Sequence, residues 1–241
     1  MIEMARRFLR QKASNVGVVV ALSALALLAA PQIAGSGGQG GFEGLGTLAL
    51  LILAAGCVAK DASGGALQMI LCRPIRRSDY LLGRYVGILA AFGVFLIGAS
   101  VMAVIFARGI IPLLGAPARP VAFGALGPQL AASFLGGLAT AATILLLSTF
   151  LPGYGDVLGF ILLTPLAALP DVAGQILRAP WLQKAGQTLR ENLLPSLDWT
   201  AVLKGRNALG EATGRWVLAV VLYLVAALVI FSRREFAYGQ D

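Results

Sequence analysis

Residues 216–234 read WVLAVVLYLVAALVIFSRR, an uncharged apolar run that stops at Arg233 and Arg234. The hydrocarbon core of a bilayer is about 30 Å thick, and a helix needs roughly 20 mostly apolar residues to cross it. The run and its flanks reach this length, so the pattern predicts a membrane-crossing helix over 215–232. Arginines directly after such a run are typical of its cytoplasmic end.

Comparable apolar runs recur along the whole chain of 241 residues. The composition is 58% hydrophobic and 12% charged, whereas soluble domains are about 25% charged. We therefore predict an all-α polytopic membrane protein, with one transmembrane domain over 1–241 and about six crossings. The predicted crossings are 15–31, 45–59, 81–107, 126–151, 156–172 and 215–232.

Basic residues, which give the chain a net charge of +8, cluster at Arg6–Lys12, Lys60–Arg84 and Arg233–Arg234. Lysine and arginine accumulate in cytoplasmic flanks of membrane helices. The pattern therefore predicts a bacterial inner-membrane protein with both termini in the cytoplasm. No nucleic acid is expected as a partner, because the basic residues lie between apolar runs and not along one stripe.

Three segments between the crossings have a mixed apolar and basic pattern. Residues 1–14 are predicted to form an amphipathic helix at the membrane interface. Residues 175–213 are predicted to be an external amphipathic segment, and Trp181 suits such a depth. Residues 60–80 are predicted to form a cytoplasmic hairpin.

The residue types that most enzymes require are scarce. The chain has no histidine and no GxxxxGK[ST] phosphate loop, and Cys57 and Cys72 are too far apart for a CxxC motif. The acidic residues nearest the crossings, Asp61, Asp156 and Asp171, lie at or near segment ends. We therefore expect a non-enzyme that holds no metal or cofactor of its own.

The most informative stretch is KDASGGALQMILCRPIRRSDYLLGRYVG, residues 60–87. Its acidic residue, glycine turn, apolar stretch, Pro-x-x-Arg element and Tyr-Leu-Leu-Gly entry resemble the transmembrane permease subunit of type-2 ATP-binding-cassette (ABC) exporters. Asp61 stands where that family usually has glutamate, and Arg84 stands where lysine is usual. The order of the predicted segments along the chain is also similar to this family.

The resemblance implies that the 60–80 hairpin is a coupling helix that docks on a separate ABC ATPase subunit. A second permease chain, identical or different, would complete the substrate pathway among membrane lipids. ATP and magnesium would bind to the partner ATPase. The residues expected to couple to the ATPase are Asp61, Gly65, Leu67, Leu71, Arg73, Pro74, Arg76 and Arg77.

Other functions fit the same pattern. The hairpin can be an ordinary cytoplasmic loop whose arginines fix topology and contact lipid phosphates. The chain can be a non-transporting assembly or mechanotransmission factor that uses the same ATPase, or an ATP-independent lipid carrier or enzyme. An apolar face at Leu67 and Leu71 favours docking, because topology alone does not require it.

Overall fold

The regular secondary structure in the described part of the chain is entirely helical. The computed structural model describes residues 2–36, 42–58, 61, 76–113, 123–151, 154–194, 197–203 and 210–233. The helices are α1 (Ile2–Ala13), α2 (Val16–Gly35), α3 (Glu43–Ala54), α4 (Arg77–Ile105), α5 (Ile111–Leu113), α6 (Phe123–Phe150), α7 (Gly155–Ile176), α8 (Pro180–Leu193), α9 (Trp199–Leu203) and α10 (Glu211–Arg233). A π-helical turn, Phe106–Ile110, joins α4 to α5.

Among the described residues, five helices are long and apolar enough to cross a membrane, as expected of a polytopic membrane protein. They are Val16–Gly35, Arg77–Ile110, Leu126–Phe150, Gly155–Ile176 and Glu211–Arg233. Large apolar side chains remain exposed along these helices, as on a surface that contacts lipid.

The predicted crossing over 45–59 is not among these five helices. There the structure has α3, a helix of 12 residues that ends at Ala54 and is followed by a turn. At 1.5 Å per residue, α3 is about 18 Å long, which is shorter than a hydrocarbon core of about 30 Å. The six-crossing layout therefore remains a prediction.

Pro31 does not end the first predicted crossing, and internal prolines do not end α7 either. The first crossing was predicted to stop at Pro31, but α2 continues to Gly35 with Pro31 inside it. Helix α7, predicted over 156–172, contains Pro165 and Pro170 and extends to Ile176. Membrane helices tolerate internal proline because neighbouring groups satisfy the freed backbone carbonyls.

The chain forms two compact units. The first comprises Met1–Leu53, Tyr85–Leu138 and Asp198–Gly210. In its core, the Phe92 ring packs beside Gly46 and Gly137 and stacks with Phe95 at a centroid distance of 6.4 Å. The Tyr85 hydroxyl donates to the Leu138 carbonyl at 3.0 Å.

The second unit comprises Ala54–Arg84, Ala139–Leu197 and Glu211–Asp241. Within it α7 and α8 pack closely, because Gly174 lies against Gln183 and Gly186 lies against the backbone of Asp171. A helix pair whose contact residues are glycines can bring its backbones closer than larger side chains allow. Buried polar side chains, among them Asp61, Arg84 and Asp156, lie near the helix ends of this unit.

Candidate functional site

Three polar side chains meet in the second unit at the start of α4, and we call them the Asp61 cluster: Asp61, Tyr80 and Arg84. The Asp61 carboxylate accepts a 2.8 Å hydrogen bond from the Tyr80 hydroxyl and forms an ion pair with the Arg84 guanidinium. The guanidinium also lies over the Tyr80 ring, 5.3 Å from its centroid. Asp61 and Arg84 are only 8% and 7% exposed, so water hardly screens the pair.

The cluster extends to the end of α10. The Tyr80 ring stacks on Phe231 at a centroid distance of 5.7 Å and an interplanar angle of 15°. One turn earlier, Arg77 donates from Nη1 to the Ser232 carbonyl at 2.7 Å. A cation there is favourable, because the last carbonyls of a helix lack partners and its C-terminus carries partial negative charge. These contacts join the first turn of α4 to the last turn of α10.

Forming the buried ion pair contributes little net stability, whereas removing one of its partners is costly. Removing two charges from water costs several kcal/mol per ion, and their attraction offsets this only when the geometry is good. Loss of one partner leaves the other charge buried and costs about 3–5 kcal/mol. The cluster therefore favours one arrangement of Asp61 against α4, in which both charges are paired.

A second buried carboxylate, Asp156, lies at the amino-terminal end of α7. It is fully buried and accepts hydrogen bonds from the backbone N–H groups of Gly56, at 3.0 Å, and Val157, at 2.8 Å. The Ser148 hydroxyl also hydrogen-bonds to this carboxylate, and Ser148 Oγ accepts from the Val58 N–H at 3.2 Å. Asp156 and Ser148 thus hold the turn that follows α3 against the start of α7 and the end of α6.

The turn depends on Gly56, which has a left-handed φ of 62°. Glycine adopts this conformation without steric cost, and it commonly ends helices in this way. The turn directs the Gly56 N–H to Asp156. Saturated by hydrogen-bond donors, Asp156 acts as a structural anchor for this turn.

The predicted coupling residues divide into two groups. Asp61, Arg76 and Arg77 are described, and the structure places Asp61 in the buried cluster and both arginines, exposed, at the start of α4. The predictions for five other positions lie outside the described residues. These positions are Gly65, Leu67, Leu71, Arg73 and Pro74.

Sequence reasoning did not assign Tyr80, Arg84, Ser148 or Asp156 to a site. A signal for Arg84 exists, since a charged residue inside an apolar run is costly unless it is paired. That signal does not identify the partner. Comparison with known proteins adds nothing here, because no protein-family model and no curated protein matches the sequence.

Within the described ranges, no three histidine, cysteine or acidic side chains are grouped closely enough to hold a metal ion. The Asp61 cluster offers hydrogen bonds and a fixed charge arrangement. Its chemistry suits holding one chain segment against two helices.

Proposed function

We propose that the chain is the membrane-spanning permease subunit of an ABC exporter in a bacterial inner membrane. A second permease chain would complete the pathway, and separate ATPase subunits would supply the driving force. The order of motifs in 60–87 supports this proposal, as do the five helices long and apolar enough to cross a membrane. In this proposal α3 and the turn after it form the remaining, short crossing, and both termini are cytoplasmic.

One observation supports the proposal most, namely the contact of Asp61 with the first turns of α4. Asp61 lies at the beginning of the 60–80 segment, and its carboxylate contacts Tyr80 and Arg84, which lie at and just after its end. Asp61 is therefore held beside the residues at which the predicted hairpin enters α4. A hairpin attached in this way is suited to transmit force.

The contacts with α10 would transmit the same force to a second helix. Tyr80 stacks on Phe231, and Arg77 holds the Ser232 carbonyl. In the proposed mechanism, closure of the ATPase dimer moves the docked hairpin, and the Asp61 cluster moves α4 and α10 together with it. Both helices are candidate membrane spans, so their displacement would change the pathway.

The direct test is purification of the tagged full-length chain from its native membranes in a mild detergent. We expect an ABC ATPase to co-purify and to hydrolyse ATP. Reversal of Arg73, Arg76 and Arg77 to glutamate should remove most of the bound ATPase. Three changes are combined because a single exposed ion pair contributes only about 0–1 kcal/mol.

A matched control reverses Arg178, Lys184 and Arg215, whose side chains are exposed in the second unit. This variant has the same net charge as the first and should keep the ATPase. If the parent chain carries no ATPase, the proposal is wrong and an ATP-independent carrier or lipid enzyme becomes the better explanation. Equal loss in both variants would mean that net charge, and not the hairpin, holds the complex together.

A further inference from the structure

Helix α1 is attached to the first unit by one apolar face. Met4, Ala5 and Phe8 are buried, and the Phe8 ring fits against α4 at Gly87, where an added Cβ would come within 2.8 Å of it. The apolar face is therefore already occupied by protein. It is not free to insert into the headgroup region, as an isolated amphipathic helix would do.

The opposite face of α1 carries three exposed arginines, Arg6, Arg7 and Arg10, which we call the arginine face. Residues three or four apart are neighbours on a helix surface, so Arg10 borders both Arg6 and Arg7. In the part of the chain that the structure describes, no carboxylate forms an ion pair with any of them. Lys12 behaves differently, because its ammonium group lies over the Phe8 ring.

The arginine face lies at the boundary of a membrane span. Helix α2, a candidate span, begins at Val16, directly after the Ser14–Asn15 connection, and Asn15 caps it by accepting from the Gly17 N–H at 3.1 Å. Exposed Val16 and Val20 begin the lipid-facing surface of α2. On α1 itself, Ile2 is 79% exposed and lies one helical turn from Arg6, so an apolar side chain borders the charged one.

We propose that the arginine face binds the phosphate groups of anionic membrane lipids. Guanidinium presents a planar fork of donors that matches phosphate oxygens, and basic segments beside a span are attracted to anionic lipid surfaces. Charge complementarity and continuity with the lipid-facing surface of α2 favour lipid over an acidic protein. This proposal does not depend on the transport function.

The test measures which lipid lies next to α1 in the full-length chain. Ala13→Cys, in a background with Cys57→Ala and Cys72→Ala, carries a fluorophore on the exposed side of α1. The protein is reconstituted into vesicles of equal parts phosphatidylglycerol and phosphatidylcholine. In paired samples a nitroxide is placed high on the acyl chain of one lipid or the other, so that only the labelled species changes.

Phosphatidylglycerol should be enriched at the label about fivefold over phosphatidylcholine, because each basic residue near an anionic surface contributes attraction. Arg6→Gln, Arg7→Gln and Arg10→Gln together should abolish the enrichment, and lysine at the three positions should restore most of it. The control Arg76→Gln, Arg178→Gln and Arg233→Gln removes the same charge elsewhere and should keep the enrichment.

Three results would overturn the proposal. Equal quenching by both labelled lipids in the parent would mean that the face does not select anionic lipid. An equal loss of enrichment in the control variant would assign the effect to bulk charge. Absence of quenching by either lipid would place the arginine face in water, away from the bilayer.

Discussion

At the scale of single residues, the Asp61–Arg84 pair gives the sharpest energetic prediction. We expect Asp61→Asn, which leaves the guanidinium buried without a counter-charge, to lower the free energy of unfolding by about 3–5 kcal/mol. Arg84→Gln should have a similar effect. The double variant should cost clearly less than the sum, because neither charge is then left alone. Unfolding in mixed detergent and dodecyl sulfate micelles measures these values.

The matched control is the exposed pair Glu211–Arg215, whose side chains are 79% and 69% exposed. Solvent screens this pair, so Glu211→Gln should leave the unfolding midpoint unchanged. If Asp61→Asn is as stable as the parent, the buried ion pair does not contribute to the free energy of unfolding. A purely additive double variant would likewise contradict direct pairing.

Contacts between residues far apart in the chain could not be predicted from the sequence. The sequence pattern singles out Asp61 and Arg84 as charged residues near the ends of apolar runs. It does not reveal their pairing, because the two residues are 23 positions apart and only the folded chain brings them together. The Asp156–Gly56 contact spans 100 positions, and no local periodicity encodes a contact of that kind.

At the scale of helices, the α7–α8 pair depends on glycine at its closest contact. An added Cβ at Gly186 would lie 2.8 Å from Asp171 Cα and 2.9 Å from the Pro170 carbonyl carbon. These are backbone atoms, which cannot turn aside as a flexible side chain can. We therefore expect Gly186→Ala to destabilise the protein by about 1–3 kcal/mol, measured by unfolding in detergent.

Gly214 in α10 supplies the control, since an added Cβ there meets nothing within 4 Å. Alanine is a better helix former than glycine by up to about 1 kcal/mol, so Gly214→Ala should be neutral or stabilising. A stabilising Gly186→Ala would show that α8 packs less closely on α7 than described.

The helices themselves were largely predictable, because long apolar runs have few alternatives in a membrane. Five of the six predicted crossings overlap the five helices that are long enough to span. The differences lie at the helix ends: the first crossing is predicted to stop at Pro31 and the fifth at residue 172, whereas α2 reaches Gly35 and α7 reaches Ile176. Proline ends helices more strictly in water than where neighbouring membrane helices satisfy the backbone, and the pattern does not reveal those neighbours.

At the scale of the whole molecule, the remaining question is whether residues 42–58 cross the membrane. Charge supports a crossing, because residues 13–59 contain no basic residue and the 60–84 stretch contains five, namely Lys60, Arg73, Arg76, Arg77 and Arg84. Such a difference favours opposite sides for the two flanks of this region. The length of α3 argues in the other direction, since 12 helical residues are too few to span alone.

We expect the charge difference to prevail, because a short helix can span when the bilayer thins locally or when flanking residues extend it, at a cost of only fractions of a kcal/mol per Å of mismatch. Ser36→Cys, after α2, should then react with a membrane-impermeant maleimide added outside intact cells. Ser78→Cys, in the first turn of α4, should react only after permeabilisation. Both variants carry Cys57→Ala and Cys72→Ala. Lys184→Cys in the same background should react from the side opposite position 78, because three candidate spans separate the two positions. If positions 36 and 78 react from the same side, α3 is re-entrant, the chain has five crossings, and its two termini lie on opposite sides of the membrane.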